Sequence, residues 1–67
     1  GRMDMTIRTD RYIYIFEFKF NSSADIALKQ IEDMGYADKF NDDSREVVCI
    51  GANYCSNERN VNSWRIK

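Results

Sequence analysis

The sequence predicts an α+β (mixed α/β) fold in the order strand, strand, helix, strand, strand, with a mixed sheet. Three observations predict it. Residues 12–20 are almost all aromatic or β-branched, which is typical of a strand. Residues 24–34 place apolar side chains at helical spacing, and residues 46–51 form a short apolar run of the kind found in strands buried on both faces beside a helix. A strand, a helix and a strand in this order favour a right-handed crossover that makes the two strands parallel.

Length and composition limit the classes of protein to which this chain can belong. The 67 residues form at most one domain, 1–67, which at this size buries only about 60% of the surface of the unfolded chain. No apolar stretch approaches the roughly 20 residues of a membrane span, and no segment resembles a signal peptide, so we expect no membrane partner and a cytoplasmic location. The net charge of −1 argues mildly against a simple DNA-binding module. It does not argue against a nuclease whose metal neutralises the phosphate.

Cysteine and histidine usage narrows the chemistry further. Cys49 and Cys55 are the two cysteines, and the chain has no histidine, which excludes a Cys/His zinc site as well as Ser-His and Cys-His nucleophiles. We expect two free thiols rather than a disulfide, with Cys49 in the core and Cys55 in a loop. Any catalysis must therefore use carboxylates, lysine or a metal.

The first two strands are expected to form a β-hairpin. Residues 2–9 alternate apolar and polar side chains, and Thr9-Asp10-Arg11 is typical of a turn. With Asp10-Arg11 as the loop, the residue numbers of each cross-strand pair add up to 21. This register places apolar side chains opposite one another on one face, and a slip of one residue would mix the faces. The predicted apolar pairs are Met3 with Phe18, Met5 with Phe16, and Ile7 with Tyr14.

The same register brings two carboxylates together on the other face. It places Asp4 directly opposite Glu17, with Cβ atoms roughly 4.5–5.5 Å apart, and Lys19 lies two positions further along the same face. Like charges at this separation destabilise a sheet unless a proton or a cation lies between them. The hairpin therefore contains a candidate cation site.

The remaining elements follow from local signals. Ser22 or Ser23 is expected to cap a helix whose inward face is apolar, and Gly35 to end it. The inward face comprises Ala24, Ala27, Leu28, Ile31 and Met34. We expect a further helical turn over residues 36–40, a loop at 41–44, a strand at 46–51, a polar loop at 53–60 and a last strand at 61–66. Trp64 and the aromatic side chains of residues 12–20 are expected to be core.

Asp4, twelve intervening residues and then Glu17-Phe18-Lys19, on a hairpin followed by a helix, resemble the PD-(D/E)XK nuclease superfamily. The wider sequence is similar to the nuclease-like C-terminal domain of Bacteroides-type bacterial proteins with an AAA-ATPase-like region upstream. The matching stretches are Gly1-Arg2-Met3-Asp4, residues 9–14, Phe16-Glu17-Phe18-Lys19, Ala27-Leu28-Lys29-Gln30-Ile31, Gly35-Tyr36-Ala37 and Ile50-Gly51. The resemblance implies a truncated restriction-endonuclease-like core, and it covers nearly the whole chain.

The resemblance implies a metal-dependent nuclease that hydrolyses nucleic-acid phosphodiesters, with DNA favoured over RNA. Mg²⁺ (or Mn²⁺) would be held by Asp4, Glu17 and the backbone carbonyl of Phe18. Lys19 would orient the attacking water or stabilise developing charge, and Gln30 would be an additional polar site residue. Tyr36 is a weaker candidate to accompany Gln30.

The chain departs from the superfamily pattern in two places. Met3 stands where the motif has proline, which is the least constrained position of the motif. Superfamily cores begin with a helix that carries an acidic residue, whereas this chain begins at the following strand. We therefore expect a C-terminal piece of a longer protein with an upstream ATPase-like region, inactive by itself, whose uncovered sheet face binds a partner or a second copy in a homodimer.

Other interpretations stay open at this point. Glu17 and Lys19 alone could be a solvated face of a sheet, Gln30 a residue at the helix boundary, and Tyr36 a core aromatic. The alternative function is a non-catalytic interaction or dimerisation domain on a nuclease scaffold. A general small α+β binding module would require a different hairpin register, with Asp4 pointing away from Glu17.

Overall fold

A computed structural model describes residues 5–67 as a sheet with a helix on one face. The strands are β1 (Met5–Arg8), β2 (Tyr12–Phe20), β3 (Glu46–Cys55) and β4 (Asn60–Ile66), in the spatial order β1-β2-β3-β4. Helix α1 (Ala24–Asp33) and a 3₁₀ helix (Tyr36–Phe40) connect β2 to β3. The predicted mixed sheet in the order strand, strand, helix, strand, strand is confirmed.

The register of the hairpin agrees with the hydrophobic pattern. Strands β1 and β2 are antiparallel, and Met5 pairs with Phe16 while Ile7 pairs with Tyr14. Residues 1–4 lie outside the described residues, so the predicted pairs Met3 with Phe18 and Asp4 with Glu17 stay predictions. Strands β2 and β3 are parallel, as the crossover order predicts, and β4 is antiparallel to β3.

Helix α1 begins and ends at the residues that the sequence signals. The Ser23 hydroxyl accepts a hydrogen bond from the backbone N–H of Ile26 at 3.1 Å, so Ser23 is the N-cap. Gly35 follows the helix with a φ of +65°, a left-handed conformation that glycine adopts without steric cost. The predicted extra turn is the 3₁₀ helix, with Tyr36 buried.

The core lies between α1 and one face of the sheet. It consists of Ile13 and Ile15 on β2 together with Ile31 and Tyr36, and partly buried side chains surround it. These are Leu28, Ala37, Phe40, Val47 and Cys49. Met34, predicted to face inward, is exposed because it follows the last residue of α1. Both cysteines are free thiols, as expected.

The aromatic side chains of β2 were expected to be core, and this expectation is wrong. They belong to the opposite sheet face, called here the open face, which no described element covers. Apolar neighbours on the same face of a sheet lie beside one another, so they shield a small side chain such as Ala52 but leave the large rings half-buried or exposed. The open face comprises Met5 and Ile7 on β1, the even-numbered residues 12–20 on β2 and 48–54 on β3, and Val61, Trp64 and Ile66 on β4.

Three further expectations need correction. Because the superfamily's first helix is not among these residues, the sequence favours an uncovered sheet face at Glu17, but α1 packs over that face and Glu17 is buried. The predicted loop at 53–60 is shorter, because β3 continues through Cys55, which therefore lies in a strand. Strand β3, expected to be buried on both faces, is fully buried only at residues 51–53, and its apolar residues 47–50 are half-buried, since the single crossover helix covers one side of the sheet.

Candidate active site

Glu17 is a buried carboxylate on the helix-covered face of β2. Its side chain is only 4% exposed, near the carboxyl end of the strand. In the parallel register Glu17 lies beside Gly51 of β3. A Cβ on Gly51 would lie 2.5 Å from both the Ala24 carbonyl oxygen and the Leu28 backbone nitrogen. The absence of a side chain at Gly51 thus lets the backbone of α1 approach the sheet next to Glu17.

Lys19 lies two residues beyond Glu17 on the same face and reaches the helix. Its ammonium group donates a hydrogen bond to Oε1 of Gln30 on α1. Both side chains are half-buried, and the bond joins the end of β2 to the middle of α1. A lysine side chain has several rotatable bonds, so this contact restricts where its charge lies. The result is a cation fixed near a buried carboxylate.

Asn53 holds the turn that follows Lys19. It is 3% exposed and pairs with Lys19 in the β2/β3 register. Its Oδ1 accepts a hydrogen bond from the Ser22 backbone N–H at 2.8 Å, and its Nδ2 donates to Asn62 Oδ1 at 3.0 Å. These bonds attach the β2–α1 turn to β3 and β4. Asn53 therefore supports the start of the helix that carries Gln30.

A second link joins the same turn to the β3–β4 connection. Asn21 has a φ of +52°, in the left-handed region that asparagine tolerates better than most residues. Its Oδ1 accepts hydrogen bonds from the backbone N–H and the hydroxyl of Ser56, at 2.9 and 3.1 Å. The Asn21 N–H also donates to the Tyr54 carbonyl at 2.8 Å, so several hydrogen bonds attach the turn at the carboxyl end of β2 to β3 and the residues after it.

The described residues supply part of the set of oxygen ligands that a hard divalent cation needs. Glu17 supplies a carboxylate, and the described β1/β2 ladder ends at the Met5–Phe16 pair, immediately before Glu17 and Phe18. Asp4 lies outside the described residues. Within residues 5–67 no three His, Cys, Asp or Glu side chains form a group that could hold a metal. Mg²⁺ usually keeps several waters and needs few protein ligands, so Glu17 and a backbone carbonyl suit a partial protein ligand set.

The opposite end of the sheet carries a different polar group. A surface depression of about 350 Å³ lies where β2 and β3 begin, lined by both basic and acidic side chains. Arg45 pairs there with Asp43 at 2.7 Å and donates to the Thr9 carbonyl. The hydrogen bond from the Arg45 side chain lowers the pKa of Asp43 to about 2. This group fastens the loop before β3 to the hairpin and lies away from Glu17.

The structure brings together three of the predicted site residues, Glu17, Lys19 and Gln30, at the carboxyl end of β2. The side chain of Phe18 belongs to the open face, so only its backbone could serve a metal. Tyr36 is a core residue. The sequence interpretation assigned no role to Gly51 and placed Asn53 in a loop. The alternation of apolar and polar residues that continues from Gly51 to Cys55 was a signal that β3 extends to this point.

A buried carboxylate and a lysine two residues later, on a strand that follows an antiparallel strand and precedes a crossover helix, define a small α+β core of the restriction-endonuclease-like class. The sequence profile of the PD-(D/E)XK nuclease superfamily matches residues 1–64. The chain therefore belongs to the PD-(D/E)XK nuclease superfamily.

A curated relative is known from Azotobacter chroococcum mcd 1, where it is described as an uncharacterized protein in the vnfD 5′ region. It is 36% identical to this protein over 91% of the present chain. The chain spans only 12% of the length of that relative. No solved structure matches the chain. None of the helices in the described part of the chain is long and apolar enough to cross a membrane.

Proposed function

We propose that this chain is a metal-dependent nuclease domain that hydrolyses nucleic-acid phosphodiesters, with DNA as the favoured substrate. The observation that carries the proposal is the placement of buried Glu17 and of Lys19, bonded to Gln30, on one face of β2. Superfamily membership supports it, because PD-(D/E)XK nucleases generally use divalent metals and act on nucleic acids. The proposed metal ligands are Asp4, Glu17 and the Phe18 carbonyl, with Mg²⁺ or Mn²⁺ as the ion.

Each described residue would have a distinct task. A bound divalent ion supplies polarisation of the phosphate and a lowered pKa of a coordinated water. Glu17, on a strand beneath α1, holds its carboxylate in a fixed direction. Lys19 places a positive charge beside it that can stabilise the negative charge developing on the phosphoryl oxygens. Gln30 accepts a hydrogen bond from Lys19 and so limits the positions of the ammonium group.

We also propose that the chain is the C-terminal nuclease-like part of a longer protein with an ATPase-like region upstream. The sequence resemblance and the much greater length of the Azotobacter relative support this proposal. The coding sequence upstream of Gly1 tests it: an acidic helix followed further upstream by ATPase motifs is expected. A stop codon immediately upstream of an initiator codon at this position would contradict it.

Calorimetric titration of the full-length protein with Mn²⁺ tests the metal site. We expect one binding event that is lost in Asp4→Ala and in Glu17→Gln, which changes the charge of a buried side chain but hardly its shape. Glu46→Gln is the matched control, because Glu46 is an exposed glutamate at the far end of the sheet. Absence of Mn²⁺ binding by the wild type, or unchanged binding by Asp4→Ala, would refute the metal site.

Cleavage of plasmid DNA in Mn²⁺ tests the role of the lysine. Lys19→Ala is expected to lower the rate by about 10²-fold or more, as loss of a charge-stabilising group does at other sites. Gln30→Ala, which acts through Lys19, should cost roughly tenfold. Lys29→Ala changes an exposed lysine beside Gln30 and serves as the control. Equal rates for Lys19→Ala and Lys29→Ala would argue against the assignment.

The uncovered open face favours a second candidate function, a non-catalytic interaction domain on the nuclease scaffold. A protein that binds neither Mn²⁺ nor DNA, but binds a protein partner through the sheet, would support this candidate. The remaining candidate, a general small α+β binding module, is less well supported, because it requires a different hairpin register from the one that the described strands adopt.

A further inference from the structure

Strand β4 contains a bulge close to the candidate site. The β3/β4 register shifts by one residue between Asn53 and Tyr54, so Asn62 is the extra residue of the bulge. Such bulges are frequent next to active sites, where they direct a side chain to a place that a regular ladder would not allow. Here Oδ1 of Asn62 accepts a hydrogen bond from Nδ2 of Asn53 at 3.0 Å. The bulge thus directs a polar side chain at Asn53.

The bulge belongs to a series of hydrogen bonds that ends at the start of α1. Nδ2 of Asn62 donates to Oε2 of Glu58, in the β3–β4 connection, at 2.9 Å. On the other side, Oδ1 of Asn53 accepts from the Ser22 backbone N–H at 2.8 Å. Ser22 directly precedes Ser23, the N-cap of α1. The side chains of Glu58, Asn62 and Asn53 therefore join the β3–β4 connection to the residue before the helix.

Asn53 is the buried residue of this series. It is 3% exposed and lies beside Lys19 in the β2/β3 register, on the same face of the sheet. A buried amide lowers stability unless its hydrogen bonds are made, and an apolar side chain would fill the space without that requirement. The polar side chain at position 53 is therefore explained by the bond that it gives the turn, and not by packing.

The position of this turn sets the position of the group that holds Lys19. Gln30 and the N-cap Ser23 belong to one α-helix, so a displacement of the start of α1 also displaces Oε1 of Gln30. Gln30 accepts the hydrogen bond from the Lys19 ammonium group. A misplacement of about 1 Å, produced far from the reacting atoms, can lower a catalytic rate about 10²-fold. A change at Asn53 is therefore expected to reach Lys19.

We propose that Asn53 is a positioning residue of the candidate nuclease site, which acts on Lys19 through the start of α1 and Gln30. This inference rests on the proposed function, because it gives Asn53 a part in the same reaction. Asn53 needs no contact with metal or substrate for this role. It keeps Gln30 where it can hold the Lys19 ammonium group near the developing phosphoryl charge. Loss of the Asn53 amide should therefore lower kcat and leave the KM for DNA unchanged.

NMR of the metal-free full-length protein, labelled with ¹³C at lysine Cε, tests the positioning directly. A lysine held in one conformation gives its two Hε protons different chemical shifts, whereas rapid rotamer exchange averages them to one. Lys19→Ala identifies the signal. We expect two shifts for Lys19 in the wild type and one in both Gln30→Ala and Asn53→Ala.

Val47→Ala is the matched control for fold stability. Val47 lies on the same face of β3 as Asn53, at the other end of the strand, and packs against the core. Removal of its methyl groups should destabilise the fold without changing the turn before α1. The Lys19 signal of this variant should keep two Hε shifts.

A double-mutant cycle on plasmid cleavage in Mn²⁺ tests the path through Gln30. Asn53→Ala should lower kcat by about three- to tenfold, no more than the roughly tenfold loss in Gln30→Ala. The double variant should be as fast as Gln30→Ala within about twofold, because residues that act through one contact are not additive. Val47→Ala should cleave at the wild-type rate, at a temperature where circular dichroism shows every variant folded.

The two measurements separate the failure of this inference from the failure of the proposed function. If the wild type does not cleave DNA in Mn²⁺, the proposed function fails, and the Lys19 signal alone decides whether Asn53 fixes the lysine. A single averaged shift in the wild type, two shifts in Asn53→Ala, or a cycle whose two effects multiply would overturn the role of Asn53. So would a single shift in Val47→Ala, because Asn53 would then act only through the stability of the fold.

Discussion

Replacement of Gly51 by alanine tests how α1 is held against the sheet beside Glu17. The added Cβ would lie 2.5 Å from two backbone atoms of α1 and 3.1 Å from the Ala27 Cβ, whereas ordinary contacts begin at 3.4 Å. The helix must therefore move by about 0.9 Å, the difference between 3.4 and 2.5 Å. Because backbone atoms cannot rotate away as a side chain can, the cost should reach the upper part of the usual overpacking range, about 3 kcal/mol.

Gly35→Ala is the matched control for this prediction. Gly35 has a φ of +65°, and its added Cβ would meet only the flexible Asp38 side chain. The left-handed conformation costs a non-glycine residue about 1–2 kcal/mol. Both variants are Gly→Ala changes, so their effects on the unfolded chain are similar and largely cancel in the comparison.

Urea denaturation followed by far-UV circular dichroism measures both variants. A domain of this size has a total stability of roughly 3–10 kcal/mol, so Gly51→Ala should remove a large part of it. Gly51→Ala should also cost about 1–2 kcal/mol more than Gly35→Ala. Equal destabilisation, or a smaller loss in Gly51→Ala, would show that α1 does not pack on Gly51 as described.

Two further predictions concern polar groups outside the core. Asn53→Ala should lower the free energy of unfolding, measured in urea, by about 1–3 kcal/mol, because the Ser22 N–H loses its acceptor. The control Asn41→Ala changes an exposed asparagine and should alter this free energy by no more than about 0.5 kcal/mol. Similar losses in the two variants would contradict the role of Asn53. In an NMR titration Asp43 should have a pKa near 2. A lowered folded-state pKa stabilises the protein above the unfolded value of 3.8, and this contribution is lost as the pH falls towards 2. Arg45→Gln should raise the pKa of Asp43 towards 3.8, and an unchanged midpoint would contradict the pairing.

The candidate site and the open face occupy opposite sides of β2. Alternate residues of a strand point to opposite sides, so Glu17 and Lys19 lie under α1 while Phe18 and Phe20 lie on the open face. One strand thereby serves a buried polar site and an exposed apolar surface.

The sequence by itself determined the elements and their local limits. The period-two pattern of β1 and β2 allowed only one register, since a slip by one residue would have mixed apolar and charged faces. Ser22 or Ser23 and Gly35 marked the helix, because capping and left-handed backbone are properties of single residues, and the structure selects Ser23 as the cap. The order of elements then implied the parallel pairing of β2 and β3, because crossover connections have a fixed hand.

Only the tertiary structure decided which face of β2 the helix covers. Both faces contain strong apolar residues, so alternation alone could not separate Ile13 and Ile15 from the aromatic row. Packing selected the isoleucine face, where Gly51 leaves room for the backbone of α1 and Lys19 can reach Gln30. Contacts of this kind join residues far apart in the chain, and local periodicity carries no information about them. Burial of Glu17 and exposure of Trp64 both follow from that one choice.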